Sequence, residues 1–398
     1  MRILILKYKI GILLLLGVIL GCAPSPKAPS WSHQMHLPDG VISLSNRDAR
    51  GGLWFVTSNY STGGTLGRID LKTGKINSKL LLVGADTQLF PDGKDGLFIL
   101  NRMRQDSVTA VQGPFAKATA YRQLPRGSNP QAVVRDRQGR VWLTLSETDQ
   151  VLALSEDLTN TVAALDFSHL AADHRLSGGR PNVAPGIGVV SEVKVNKADL
   201  ASMLLLGENR LLVAAQRLHR EGGPWRPDPQ SALIEIDTEA LKVSSTQFLA
   251  AANPQQLGVV ENSVWLVGGG DFSSRDGSLG SLLRFPDLGV SRAPEHEESL
   301  GKILAVDFSE PLEVPILIVW YPQQQQSCVE FNQVKLVCAG NSSNQGYVFS
   351  HLRRLGSHIF VTYQDQYTQE IWLVSVRDRK VEQKVSVALP VMSLSFGP

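Results

Sequence analysis

The segment Arg217-Leu-His-Arg-Glu-Gly-Gly-Pro-Trp-Arg226 gathers Arg217, His219, Arg220, Trp225 and Arg226 in one loop shaped by glycine and proline. Guanidinium groups give charge-assisted bonds to carboxylates and an indole offers a flat apolar face, so this set suits a carboxylate, a sugar or a peptide. Two Gly-containing turns, Arg126-Gly-Ser-Asn129-Pro and Gly178-Gly-Arg180-Pro-Asn, could receive an anion on backbone amides backed by arginine. Asp271 and Asp276 bring carboxylates to one loop that could hold calcium or another divalent metal, although it has few oxygen ligands at EF-hand spacing, and no cofactor is expected. The eight histidines are scattered, and His33 and His36 alone would hold a metal weakly. No His-Glu-x-x-His, Gly-x-Ser-x-Gly or Cys-x-x-Cys occurs, so nothing in the linear sequence marks a catalytic centre, a metal or a cofactor.

The elements that must position these residues repeat along the chain. Trp54, Phe98 and Trp142 lie in short apolar runs two successive steps of 44 residues apart, and further anchors follow at Leu211-Leu212, Trp265, Trp320 and Phe360. Each is followed by another β-type run, as in Ala232-Leu-Ile-Glu-Ile-Asp-Thr238, and no segment carries a long 3.6-residue period. Short strands in sets of four at such spacing predict an all-β chain folded as a single β-propeller over residues 31–398. Seven anchors favour seven blades, with the aromatic anchors between blades. Leu37-Pro-Asp-Gly-Val-Ile-Ser-Leu-Ser45 and Leu389-Pro-Val-Met-Ser-Leu-Ser395 both read as inner strands, which leaves the closing register, and six or eight blades, open.

The stretch from Thr144 to Val162 resembles the YVTN type of propeller repeat, and Asn129-Pro-Gln-Ala-Val-Val134 and Asn253-Pro-Gln-Gln-Leu-Gly-Val-Val260 resemble the inner strands that precede such repeats. The Trp-Asp and Gly-His pattern of WD40 repeats is missing, as is the Gly and Trp docking pattern of quinoprotein-type repeats. In a four-stranded antiparallel blade the loops after the second strand and those leading into the next inner strand emerge on one face. Three excess segments, Phe167 to Asp199, Arg217 to Gln230 and Gly268 to Gly280, share that face and are expected to form an asymmetric rim. Arg126, Arg180, Asn129 and Asn253 belong to its funnel mouth, and Arg217, Arg220, Trp225 and Arg226 to its contact surface.

The first residues read as an export signal. Arg2, Lys7 and Lys9 precede an apolar run from Ile10 to Leu20 that is too short to span a bilayer. Ile19-Leu20-Gly21-Cys22 resembles the bacterial lipobox, which implies cleavage after residue 21 and lipid on Cys22. Residues 22–30 then form a Pro-rich tether from membrane to domain. Ala23 stands where an Asp would signal inner-membrane retention, so outer-membrane anchoring, facing the periplasm or the cell surface, is expected in a host with two membranes. Cys328 and Cys338 flank two short strands around Asn332-Gln333, and in an oxidising compartment they are expected to form a disulfide.

The chain has 398 residues, 43% of them hydrophobic and 19% charged, which excludes disorder and coiled coil. Without residues 1–21, the 39 Lys plus Arg become 36 against 37 Asp plus Glu, so nucleic acid is not an expected partner. The expected function is a lipid-anchored, non-catalytic scaffold for an envelope protein, peptide or glycan. The alternatives are a metal-dependent, lactonase-like propeller hydrolase or lyase, and a structural or adhesive surface lipoprotein.

Overall fold

Runs that alternate short apolar stretches with Gly, Asn and Asp turns cannot bury both faces of one hairpin, and here they assemble into seven four-stranded antiparallel sheets. The computed structural model describes residues 51–171, 196–220, 225–272, 279–299, 301–308, 314–340 and 345–397. Blade 1 has Val391–Gly397 as its inner strand, followed outward by Gly52–Ser58, Gly64–Asp70 and Ile76–Val83. Blades 2 and 3 run from inner strands Thr87–Pro91 and Pro130–Arg135 to outer strands Lys117–Gln123 and Thr161–Asp166. Blade 4 spans Leu200–Leu206 to Lys242–Leu249, with an added hairpin of Leu218–His219 and Arg226–Pro227 between its second and third strands. Blades 5, 6 and 7 begin at Pro254–Val260, Lys302–Asp307 and Phe349–Leu355.

The ring is therefore a seven-bladed β-propeller, and the open closing register resolves in favour of the C-terminal strand. Val391–Gly397 pairs with Gly52–Ser58, so blade 1 is built from both ends of the propeller sequence. Residues 37–45, the rival inner strand, lie outside the described residues.

Every anchor falls on the second strand of its blade. Trp54, Phe98 and Trp142 are fully buried, and each packs toward the following blade: Trp54 with Leu89 and Ile99, Phe98 with Val133 and Val141, Trp142 with Leu200 and Leu211. Trp265 likewise meets Ile303 and Val319. Arg68, Arg135, Arg140 and Arg284 lie over Trp54, Phe98, Trp142 and Trp265 at 5.2 to 5.8 Å from the ring centroid, so an arginine caps the anchor ring in four of the seven blades, though from different strands and turns.

In six blades the inner strand slips register against the second strand, and such bulges turn side chains away from the regular pleat. In blade 6, Cys328 and Cys338 face each other across the third and fourth strands and are joined by a disulfide, with Cα atoms 4.1 Å apart. Asn332 and Gln333, at φ 48° and 60°, make the tight turn between those strands.

Candidate functional site

One backbone lock repeats where the chain enters the inner strand in six of the seven blades. The carbonyls of Asp86, Asn129, Asp199, Asn253, Val348 and Pro390 accept the N–H of Arg102, Ser146, Gln216, Gly269, Gln364 and Ser58, each at or just beyond the end of its blade's second strand. Asn129, Asp199 and Asn253 adopt φ of 48° to 56°, a left-handed conformation that Asn and Asp tolerate better than other side chains. These locks bring the second-to-third-strand loops and the inter-blade connections to one loop face.

Across blades 2 to 4 that face is charged. Arg220 donates to Glu147, at 2.6 Å, and to Asp199, tying the blade 4 hairpin to blade 3. Arg217 donates to the carbonyls of Leu170 and Gln230 and lies 3.5 Å from Asp228, which also faces His219. Burial raises the pKa of Asp199 despite Arg220 and the Leu218 N–H, and raises that of Asp149 despite the Ala198 N–H and Lys197. Arg102 donates to Asp86 and, at 2.9 Å, to Gln131, whose own amide reaches Asn129. Most of the charge in this sector is spent within the protein.

Toward the axis, the bulge of blade 7 places Ser350 and His351 on the inner strand. Burial, then the charges of Arg353 and Arg102, lowers the His351 pKa to about 3, so the imidazole is neutral at physiological pH. Its ring makes no hydrogen bond to the described residues, while its backbone N–H donates to Thr362 Oγ1 at 2.9 Å. Among the described residues no three His, Cys, Asp or Glu side chains gather as a metal site would require.

From blade 6 through blade 7 to blade 1 the same face has a different chemistry. Trp320 lies parallel to Phe272, with centroids 6.5 Å apart, and meets Tyr347 edge-on at 5.8 Å. Its indole N–H donates to the Gln345 carbonyl at 2.9 Å. The surrounding protein, and secondarily Tyr60, raises the Tyr347 hydroxyl pKa, and the Tyr60 hydroxyl donates to Gln364 at 3.1 Å.

These rings sit on braced turns. Asn59 Oδ1 accepts three successive backbone N–H groups, from Ser61, Thr62 and Gly63. Asp365 accepts the Tyr363 hydroxyl at 2.7 Å and the N–H groups of Tyr367 and Thr368, and these bonds hold its pKa low against its burial. The Asp365 partnership in turn helps push Tyr363 up to about 12, after burial.

The propeller is a widely shared fold. A protein from Lactobacillus plantarum is similar with a TM-score of 0.57 at 14% identity, covering 87% of this chain and 99% of that one. A putative 6-phosphogluconolactonase from Bacteroides fragilis is similar with a TM-score of 0.53 at 11% identity, covering 89% and 99%. BamB from Moraxella catarrhalis aligns with a TM-score of 0.46 at 12% identity, covering 85% and 89%. At such identities the likeness is one of fold alone. No protein-family model matches the chain, and no curated protein sequence does either.

The residues singled out in the sequence divide by role. Arg217 and Arg220 are engaged in the cross-blade network just described, and Asn253 accepts Gln216 at 2.7 Å while donating to the Gly270 carbonyl. Arg126 and Arg226 are exposed, and Trp225 is 52% exposed with Arg220 4.1 Å from its ring centroid on one side. Cys22, Arg180 and Asp276 lie outside the described residues. The aromatic sector was not singled out, although Tyr60, Phe272, Tyr347 and Tyr367 all fall in loops that the strand parity assigns to the same face. The signal for it is loop position combined with an aromatic residue, which arginine content and loop length do not capture.

Proposed function

We propose that this chain is a lipid-anchored recognition scaffold of a bacterial cell envelope, carrying acyl chains on Cys22 and binding an envelope protein, peptide or glycan through the loop face without turning it over. The observation that supports it is the pairing of exposed aromatic rings with braced turns on one face: Tyr60, Tyr347 and Tyr367 are 57%, 51% and 88% exposed, yet their loops are fixed by side-chain hydrogen bonds. Rigid amphipathic rings bind with little ordering cost, which is how preorganised recognition surfaces gain affinity.

A catalytic reading would turn on the axial His351. A pKa of about 3 leaves it neutral but weakly basic at physiological pH, which makes it a poor proton acceptor. A metal-dependent hydrolase or lyase would show stoichiometric metal in the purified protein.

The test is in-cell crosslinking, affinity capture and mass spectrometry on the wild type, a Cys22→Ala variant and a Tyr60→Ala, Tyr347→Ala variant of equal abundance. A defined partner captured by wild type and lost from the tyrosine variant supports the scaffold. Equal capture by both removes the loop face from the reading, and a Cys22→Ala protein that still carries acyl chains removes the anchor.

A further inference from the structure

We infer that the loop-face sector from blade 6 through blade 7 to blade 1 binds an uncharged glycan chain. The inference rests on the recognition reading above and narrows its ligand to one class. The second-to-third-strand loops and connection of this sector read Asn59-Tyr-Ser-Thr-Gly63, Pro322-Gln-Gln-Gln325, Gln345-Gly-Tyr347 and Asp365-Gln-Tyr-Thr368. They hold tyrosines, amides and hydroxyls, and their one charged side chain, Asp365, is consumed by Tyr363 and two backbone N–H groups. A surface without free charge gives an ionic ligand nothing to pair with and would leave it desolvated at a cost. Uncharged sugar rings, by contrast, present apolar C–H faces edged with hydroxyls. Those two surfaces match exposed aromatic faces flanked by amides.

Geometry adds to composition. Trp320 and Tyr347 meet edge to face, Tyr60 lies close enough to Tyr347 to help raise its pKa, and the Tyr60 hydroxyl reaches Gln364 of blade 7. Beside them, the side chains of Gln323, Gln345 and Gln366 are exposed and make no hydrogen bond to the described residues, so their donors and acceptors face solvent. The run crosses parts of three blades, which fits a chain of several sugar units better than one. The Gln345-Gly-Tyr connection is itself seated by Gly346. At φ 78°, a Cβ there would fall 2.0 Å from the Gln325 carbonyl carbon, so the Tyr347 loop lies directly on the glutamine turn.

The full-length protein, purified in detergent, would be titrated calorimetrically with cello-, chito- and maltohexaose, and with a hyaluronate hexasaccharide as the charged comparator. Binding of at least one neutral hexasaccharide, unchanged by added salt, is expected. Tyr60→Ala with Tyr347→Ala should weaken it about tenfold or more. Tyr60→Phe with Tyr347→Phe should retain most of it because the rings remain, and Trp225→Ala in the charged sector should leave it unchanged. No binding by any neutral sugar, binding that falls with salt, or binding indifferent to the alanine pair would overturn the inference. If no sugar binds but the alanine pair still abolishes capture of an envelope protein in cells, the scaffold reading stands and the glycan reading falls.

Discussion

Two sectors of one face solve the problem of exposed loops in opposite ways. Blades 2 to 4 stabilise theirs with charge: Arg220 bridges Glu147 and Asp199, and Arg102 bridges Asp86 and Gln131. Blades 6 to 1 use backbone geometry and short polar turns, with Asn59 and Asp365 each collecting neighbouring N–H groups. A charge paired inside the protein is unavailable to a ligand, whereas a ring held by its turn keeps its face free. The sector with the more conspicuous sequence is thus the more self-contained, and the plainer one is the more open to a partner.

The largest effect that would break this contrast is expected at Gly346. Gly346→Ala forces a Cβ onto the Gln325-Gln326 backbone from a left-handed conformation, at a cost of about 2–4 kcal/mol. Thermal unfolding should show it, together with a change in Trp320 fluorescence if the aromatic run is displaced. A loss of similar size from Ala at Gly93, where a Cβ meets nothing within 4 Å, would show that the backbone seat is not the cause.

In the charged sector, Arg220→Ala strands the buried Asp199 carboxylate and should cost about 3 kcal/mol, read from denaturant midpoints. The Asp199 pKa is raised in the fold, so its stabilising contribution is complete below its unfolded value and is lost as pH rises through the folded one. Lowering the pH should therefore stabilise wild type relative to Asp199→Asn, and a melting-temperature difference independent of pH would contradict this. Replacing Cys328 and Cys338 by Ser should cost about 2–3 kcal/mol through the entropy of the unfolded chain, measured against wild type without reductant.

The smallest expected effect lies at the axis between the sectors. The His351 pKa is depressed, so its contribution is complete above the unfolded value near 6.5 and is lost as pH falls toward about 3. His351→Gln should remove that acid sensitivity, a gain of about 1–2 kcal/mol near pH 5 relative to wild type. A wild-type imidazole that titrates near 6.5 by NMR would place it in open water instead.

Much of the ring was legible in the residues. The anchors at 54, 98 and 142 could be read because inter-blade packing demands a large apolar side chain at one fixed place in each repeat, and the two cysteines because a short hairpin set them face to face. Closure was not legible, since residues 37–45 and 389–395 carry the same pattern and only pairing with Gly52–Ser58 decides between them. The candidate site was read in half. Strand parity put the segment from Arg217 and the segment ending at Asp199 on one face, but linear order does not show that Arg220 meets Asp199 rather than solvent. Nor does it show that Phe272, Trp320 and Tyr347, drawn from three separate segments, form one run.

Blade 1 ties the two ends of the propeller together, and this sets the order in which the molecule can become stable. Gly52–Ser58 precedes its inner partner by the length of all six other blades, so until Val391–Gly397 docks, that strand offers a bare row of amides and carbonyls to any other chain. Such a long-range pairing is slow to find. The ring therefore behaves as a clasp that shuts last, and during synthesis the exposed edge of Gly52–Ser58 is the place where self-association competes with folding.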